Sequence, residues 1–124
     1  MINKISTDKA PSAIGAYSQA VVCGGLVFTS GQIPINPESG IIEAEGIREQ
    51  TEQVMKNLGH ILAAAGSSFE KVVKTTCFLA DMADFSVFNE VYSKYFTERP
   101  ARSCVAVKDI PKGALVEVEV IAEI

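Results

Sequence analysis

Clusters of basic residues are missing from this sequence. Its 124 residues include 11 Lys and Arg against 15 Asp and Glu, which gives a net charge of −4. A protein that binds nucleic acid needs a basic patch or stripe to neutralise phosphates. The charge balance therefore disfavours a nucleic-acid partner and favours chemistry on small molecules.

Metal, disulfide and nucleotide sites also lack their usual residues. Cys23, Cys77 and Cys104 are odd in number and far apart, with no Cys-x-x-Cys pair, and the one histidine, His60, has no second ligand at metal spacing. The glycines form neither a G-x-G-x-x-G motif nor a P-loop. We expect three reduced thiols, a surface or boundary histidine, no metal and no cofactor.

Long apolar runs are absent as well. No run approaches the ~18 apolar residues needed to cross a bilayer, and the opening residues MINKISTDKAP lack the apolar stretch of a secretory signal. We expect a cytoplasmic protein. The chain fits one domain over residues 1–124, on a prior of roughly 100 to 200 residues per domain.

What the sequence does contain is a series of strand and helix patterns. Gly24 and Gly25 between two β-type runs predict a tight hairpin. Apolar residues at helical spacing predict two amphipathic helices, the first ended by Gly66, the second capped by Asp84 and stopped by Pro100. The predicted elements are strands 16–22 and 26–33, helix 47–65, strand 71–80, helix 85–96, and strands 102–107 and 114–124.

This order predicts an α+β fold with two helices on one face of a mixed sheet. The other face carries small or apolar side chains and has no helix to cover it. An uncovered face of that kind packs on another copy of the chain. We therefore expect an oligomer.

The stretch RPARSCVAV, residues 99–107, reads as a strand entering a core, yet it carries Arg102. A guanidinium is costly to bury alone, so Arg102 needs an anion from this chain, another subunit or a ligand. Cys104 shares its face, and without a histidine partner it is better interpreted as an inert thiol than as a nucleophile.

Glu117 and Glu119 share a face of the last strand, where at least one is simply solvated. Tyr17 either anchors a ligand or is an ordinary half-buried strand tyrosine.

Five stretches of the sequence resemble the RidA/YjgF family of imine deaminases, nearly end to end and in the family's order. The P-A-R-S-C-V and S-G-Q-I-P segments are specific when they occur together. The resemblance implies a chorismate-mutase-like (ferredoxin-like) fold and a homotrimer with three clefts between subunits. The matching stretches are APSAIGAYSQA (10–20), FTSGQIPINPESG (28–40), VKTTCFLADMADF (73–85), RPARSCVAV (99–107) and KGALVEVEVIA (112–122).

The resemblance also implies an activity and a site. The activity is hydrolysis of 2-iminobutanoate or 2-iminopropanoate to a 2-keto acid and ammonia, with no redox cofactor and no metal. Arg102 matches the family position that binds the substrate carboxylate, and Glu117 matches the position that holds the attacking water. The resemblance also places Tyr17, Ser30 and Asn89 around the pocket, with Asn89 at the rim. We further expect the backbone near Cys104 and Gly31 to bond substrate and water, since a ligand can approach the main chain of a glycine closely.

Two other functions compete with this one. The same fold and arginine could hold a 2-keto carboxylate as a signal without turnover; a carboxylate at Glu117 near the bound carbon distinguishes the enzyme, because a sensor has no need of it. Nucleic-acid processing has been attributed to relatives, but the acidic charge argues against it here.

Overall fold

One six-stranded sheet and two helices make up the fold. A computed structural model describes residues 1–124 of the chain. The sheet has the strand order β1-β2-β3-β6-β4-β5. The elements are β1 (Asn3–Ile5), β2 (Ala20–Cys23), β3 (Leu26–Thr29), α1 (Ile47–Ala64), β4 (Val72–Leu79), α2 (Phe85–Tyr95), β5 (Ala101–Ala106) and β6 (Val116–Glu123).

The sheet is mixed, as predicted. β4 and β5 run parallel and every other neighbouring pair is antiparallel. Both helices pack on one face, where alternate residues of β6 from Val116 to Ala122 join a core with Leu58 of α1 and Phe88 of α2. Full burial of one such side chain contributes roughly 1.5–3 kcal/mol, so this face holds the molecule together. Neither helix is long and apolar enough to cross a membrane.

The predicted hairpin and the end of the first helix are confirmed. Cys23 pairs with Leu26, so Gly24 and Gly25 alone form the turn, with φ of +61° and +79°. Two consecutive positive φ values are what a two-residue hairpin turn requires, and glycine adopts them without steric cost. Gly66, with φ of +80°, follows the end of α1.

The predicted cap of the second helix is wrong. Asp84 makes no capping hydrogen bond, because its backbone is already helical at φ −85° and ψ −3°. An N-cap side chain needs an extended backbone to reach the first N–H groups. Asp81 has that backbone, and its carboxylate accepts from the N–H of Ala83 at 2.9 Å at the start of a 3₁₀ turn that leads into α2.

Three further features of the sheet differ from the prediction. β1 was not predicted, since three residues at a sheet edge are too few to show a period. The first two predicted strands are shorter than expected, so Tyr17, Ser30 and Gly31 lie in loops. β5 is not a core strand: it pairs only with β4, at the edge of the sheet, and most of its side chains are exposed.

The face of the sheet away from the helices is uncovered in the single chain, as the sequence predicts. Phe28, Phe78 and Ile121 lie on it, and Phe28 is 37% exposed. Val105 of β5, paired with Phe78, is 47% exposed on the same face. This apolar surface, called the open face below, also carries Glu117 and Glu119.

Candidate active site

The predicted site residues lie in two groups on opposite faces of the sheet. Arg102 pairs with Thr75, whose hydroxyl bonds to α2, so Arg102 faces the helices. Glu117 pairs with Phe78, three residues further along β4, and therefore points to the open face. Cys104 shares the face of Arg102, as predicted. Within one chain, the two charged residues of the predicted site do not meet.

Arg102 is held in place by α2. Its Nη1 donates to Oδ1 of Asn89 at 2.7 Å. The guanidinium carbon lies 4.7 Å from the centre of the Tyr92 ring and 5.3 Å from that of Phe85, within the range of cation–π attraction. The hydroxyl of Tyr92 is itself bonded to Thr75 at 2.8 Å, which fixes the ring. The orientation of the guanidinium is thus set before any ligand binds.

No anion within the chain pairs with Arg102. The only ion pair in the structure joins Arg48 and Glu90, both exposed. The remaining guanidinium N–H groups of Arg102 have no acceptor, so they can take a planar oxyanion in the forked geometry that arginine favours. Of the three sources of an anion that the sequence leaves open, the chain itself is excluded.

A cleft of about 580 Å³ opens beside Arg102. Its walls come from the last turn of α2, the loop that follows and the start of β5, and none of them is acidic. The lining residues are Asn89, Tyr92, Ser93, Phe96, Thr97, Arg99, Pro100 and Arg102. It is called the arginine cleft below.

On the open face, Glu117 lies against the backbone of Gly31. A methyl group at residue 31 would stand 2.9 Å from the carboxyl carbon of Glu117 and would overlap its Oε2. A side chain at residue 31 would therefore force this carboxylate to leave its present position. The carboxylate makes no hydrogen bond and no ion pair within the chain.

The environment of Glu117 disfavours its charge. Partial burial raises the pKa of the Glu117 carboxyl above its ordinary value, and the negative charge of Glu119 raises it further. A raised pKa makes the carboxylate a stronger base, which suits a group that accepts a proton from water. Perturbed groups of this kind are common at functional sites.

A second cleft of about 590 Å³ lies beside Glu117 and is called the glutamate cleft below. Tyr17, Ser30 and Gly31 line it, so four of the predicted site residues do meet here. Tyr17 lines the cleft and is 54% exposed, whereas Ser30 uses its hydroxyl to donate to the carbonyl of Ser18 at 2.6 Å.

Comparison with known proteins now decides the family. A family model described as "Endoribonuclease L-PSP" matches residues 7–124. The chain belongs to the RidA/YjgF family. A Lactococcus lactis protein named "Putative regulator AldR" is 54% identical over 97% of this chain and 96% of its own. The rat 2-iminobutanoate/2-iminopropanoate deaminase is 51% identical over 95% of this chain and 87% of its own. Among solved structures, E. coli TdcF with bound serine has a TM-score of 0.93 and 43% identity, with 98% of each chain covered.

In this RidA/YjgF chain the thiol of Cys104 is poorly suited to attack a substrate. Partial burial raises its pKa above the ordinary value, and the nearby Arg102 only partly offsets this. Cys77, directly opposite on β4, is fully buried and has its pKa raised to about 12. The thiolate is the nucleophilic form of cysteine, so an inert Cys104 thiol is the better interpretation.

Several residues around the predicted site were missed or underestimated in the sequence. Tyr92 and Phe85 were interpreted only as part of the apolar stripe of α2, yet they form the surface on which the guanidinium of Arg102 lies. Asn89, placed at the rim by resemblance, bonds directly to it. Helical spacing could have indicated this, since residues 85, 89 and 92 fall on one side of a helix. Lys112, in the glutamate cleft, gave no signal in the sequence.

Proposed function

We propose that this RidA/YjgF protein hydrolyses 2-imino acids, with 2-iminobutanoate and 2-iminopropanoate as substrates, to 2-keto acids and ammonia. One observation carries the proposal: the chain holds an oriented arginine without an anion and a partly buried glutamate without a cation. A 2-imino acid needs both, because it has a carboxylate to be bound and an electrophilic carbon to be attacked by water. The name of the rat relative supports the same reaction.

The site is formed between copies of the chain. Since Arg102 and Glu117 face opposite sides of the sheet, one substrate can contact both only if they come from different copies. We propose a homotrimer, in which the open faces cover one another and the arginine cleft of each copy meets the glutamate cleft of the next. Three equivalent sites result.

The proposed mechanism uses the two charges in sequence. Arg102 binds the substrate carboxylate with its free N–H groups and so fixes the position of the C=N carbon. The substrate reacts as its protonated imine. Glu117 accepts a proton from water as the water oxygen bonds to that carbon, and the π electrons of the C=N bond pass to nitrogen, which gives a neutral carbinolamine. Glu117 then returns its proton to the amino nitrogen, the C–N bond breaks as the hydroxyl oxygen forms the C=O bond, and the hydroxyl proton passes through Glu117 to the released ammonia. Protonated imine and water become keto acid and ammonium, and the enzyme is unchanged.

The neighbouring groups position the reactants. Because Gly31 has no side chain, the Glu117 carboxylate can lie against its backbone at the edge of the glutamate cleft. The Tyr17 hydroxyl is available to bond the substrate. Cys104 contributes its backbone and its packing rather than its sulfur. Asn89 restrains the guanidinium so that less entropy is lost when the carboxylate binds.

A binding module for 2-keto or amino carboxylates is the second candidate. The name of the Lactococcus lactis relative and the serine bound to E. coli TdcF support it. The position of Glu117 favours the enzyme, because an unpaired, partly buried carboxylate repels an anionic ligand and has no use in a site that only binds. RNA cleavage, which the family description names, is not proposed, since the net charge is −4 and basic clusters are missing.

The test is to generate 2-iminobutanoate in situ with a threonine dehydratase and to measure release of 2-ketobutanoate. We expect this protein at micromolar concentration to accelerate the release. Arg102→Lys keeps the charge but loses the fork, and should weaken binding of 2-ketobutanoate in calorimetry by roughly 1.5–3 kcal/mol. Arg48→Lys, in the exposed ion pair with Glu90, is the matched control and should change nothing. Binding of 2-ketobutanoate without any acceleration would establish the binding module instead.

A further inference from the structure

A second arginine enters the arginine cleft. Arg99 lines it together with Arg102, and no acidic residue does. The guanidinium of Arg99 makes no ion pair and no hydrogen bond within the chain. A chain of net charge −4 thus gathers two unpaired guanidinium groups at one cleft. Paired cations in a concave surface attract anions more strongly than either cation alone.

The backbone of Arg99 indicates that the turn does not require an arginine. Its φ is +54°, in the left-handed region that disfavours residues with a Cβ, and its N–H donates to the carbonyl of Phe96 at 3.3 Å. Glycine or asparagine would fit this turn at lower conformational cost. The backbone therefore gives no reason for an arginine, and a strained position beside a cleft is a candidate functional position.

The two arginines differ in how firmly they are held. Both line one cleft and lie three residues apart in the chain, so one ligand can meet both. The plane of Arg102 is fixed by Asn89 and Tyr92, whereas Arg99 has no partner and is exposed. One guanidinium is therefore preset for the carboxylate next to the reacting carbon, and the other is free to reach a second group.

We propose that Arg99 binds a second carboxylate on the substrate side chain, so that 2-imino dicarboxylates of four or five carbons are substrates alongside the monocarboxylates. This inference rests on the proposed function and specifies its substrate class. The hydroxyl of Thr97, in the same wall of the arginine cleft, adds a donor beside Arg99. The apolar part of a short diacid would then span the cleft between the two guanidinium groups.

Calorimetry with two product-like acids tests the inference. The ratio of the affinity for 2-ketoglutarate to that for 2-ketobutanoate is measured in the wild type and in variants at residue 99. We expect Arg99→Gln to lower this ratio by about tenfold, the scale of a charge-assisted hydrogen bond. Arg99→Lys should restore part of it. Arg99→Gly removes the backbone strain together with the side chain, and it should lower the ratio as much as Arg99→Gln does. If Arg99 had a purely structural role, Arg99→Gly would leave the ratio unchanged.

Lys94→Gln is the matched control, because Lys94 is an exposed cation on α2 that does not line the cleft. It should leave the ratio within twofold of the wild type, as expected for a remote, screened charge. An unchanged ratio in Arg99→Gln would overturn the inference. A second combination of results would also overturn it: inorganic phosphate competes with 2-ketobutanoate in a manner that depends on Arg99, while the wild type shows no preference for the diacid. Arg99 would then belong to a site for free anions.

Turnover assays distinguish a failure of this inference from a failure of the proposed function on which it rests. 2-Iminoglutarate made by a glutamate oxidase should be hydrolysed by the wild type, with kcat/KM reduced in Arg99→Gln more than it is for 2-iminobutanoate. If 2-iminobutanoate is hydrolysed and the diacid preference does not depend on residue 99, only the inference fails. If neither imine is hydrolysed and neither keto acid binds, the proposed function fails.

Discussion

At the scale of single residues, the proposed reaction depends on the protonation state of Glu117. If Glu117 is the base it must be ionised, so kcat/KM should fall as the pH drops through its pKa, which burial and Glu119 raise above the ordinary carboxyl value. Glu119→Gln removes one cause of that shift and lowers the pKa of Glu117. We expect the acid limb of the pH profile to move to lower pH in this variant. Parallel pH profiles with the same imine check it, because titration of the substrate is then common to both enzymes.

Glu117→Gln is the companion variant. It keeps the shape of the side chain but cannot accept a proton, so kcat should fall on the order of 10²-fold while 2-ketobutanoate still binds. Normal turnover in this variant would remove Glu117 as the base and make Glu119 the next candidate. An acid limb that stays in place in Glu119→Gln would show that another group sets it.

Cys104, unlike Glu117, is expected to tolerate loss of its reactive group. Its thiol is partly buried, has a raised pKa and lies beside the inert Cys77, so Cys104→Ser should keep most of the wild-type activity. Steady-state kinetics with 2-iminobutanoate measure this directly. Inactivation to background, or a covalent adduct on Cys104 seen by mass spectrometry, would contradict attack by water.

Residue types alone predicted part of this site. Arg102 was identified because a charged side chain in a predicted core strand would need an anion. That reason is wrong, since β5 lies at the sheet edge and Arg102 is exposed, although no anion of the chain pairs with it. Alternation correctly placed Cys104 on the face of Arg102 and Glu119 on that of Glu117. Alternation says which residues share a face but not which face carries the helices. That Arg102 and Glu117 point in opposite directions therefore required the strand pairing of β4 with its two neighbours.

At the scale of elements, sequence patterns predicted the turns, helix ends and strand faces that neighbouring residues determine. The Gly24-Gly25 hairpin, the helix ended by Gly66 and the alternating face of β6 are set by nearby residues, and all three were predicted. β1 and the edge position of β5 are set by pairing partners far away in the chain. The same limit explains the error at Asp84, since the 3₁₀ turn before α2 moves the cap to Asp81.

The loop after β3 provides a prediction at this scale. Gly31 lies outside the positive-φ region, so alanine fits its backbone, but the added methyl group overlaps the Glu117 carboxylate. Gly31→Ala should displace that side chain and lower kcat by about 10²-fold, as a misplacement near 1 Å does, with little change in Tm.

Gly24→Ala is the contrasting control for Gly31→Ala. Nothing lies within 4 Å of a methyl group at residue 24, but its φ is +61°. This change should cost stability, about 1–2 kcal/mol, and leave kcat of the folded protein intact. Thermal melts and turnover measured on both variants separate the two effects. Full activity in Gly31→Ala would mean that Glu117 does not act from the position it has here.

At the scale of the whole molecule, the open face and the proposed site point to the same assembly. Phe28, Phe78 and Val105 are left partly exposed on one face, and Arg102 and Glu117 lie on opposite faces of the sheet. The proposed homotrimer would cover the open face and would bring Arg102 of one copy to Glu117 of the next. Light scattering should therefore report a mass close to three times the 13.3 kDa of one chain.

Mixing two inactive variants tests where the site is formed. Arg102→Gln copies keep a functional Glu117, and Glu117→Gln copies keep a functional Arg102, so each variant alone should be inactive. If every site takes its arginine from one copy and its glutamate from the next, joint refolding of equal amounts should restore about one site in four, for a ring with heterologous contacts. The pre-assembled variants, mixed without refolding, are the control and should stay inactive until subunits exchange. No recovery in refolded trimers of normal mass would show that both residues act within one chain. Because Arg102 and Glu117 point in opposite directions, that result would require β5 or β6 to rearrange.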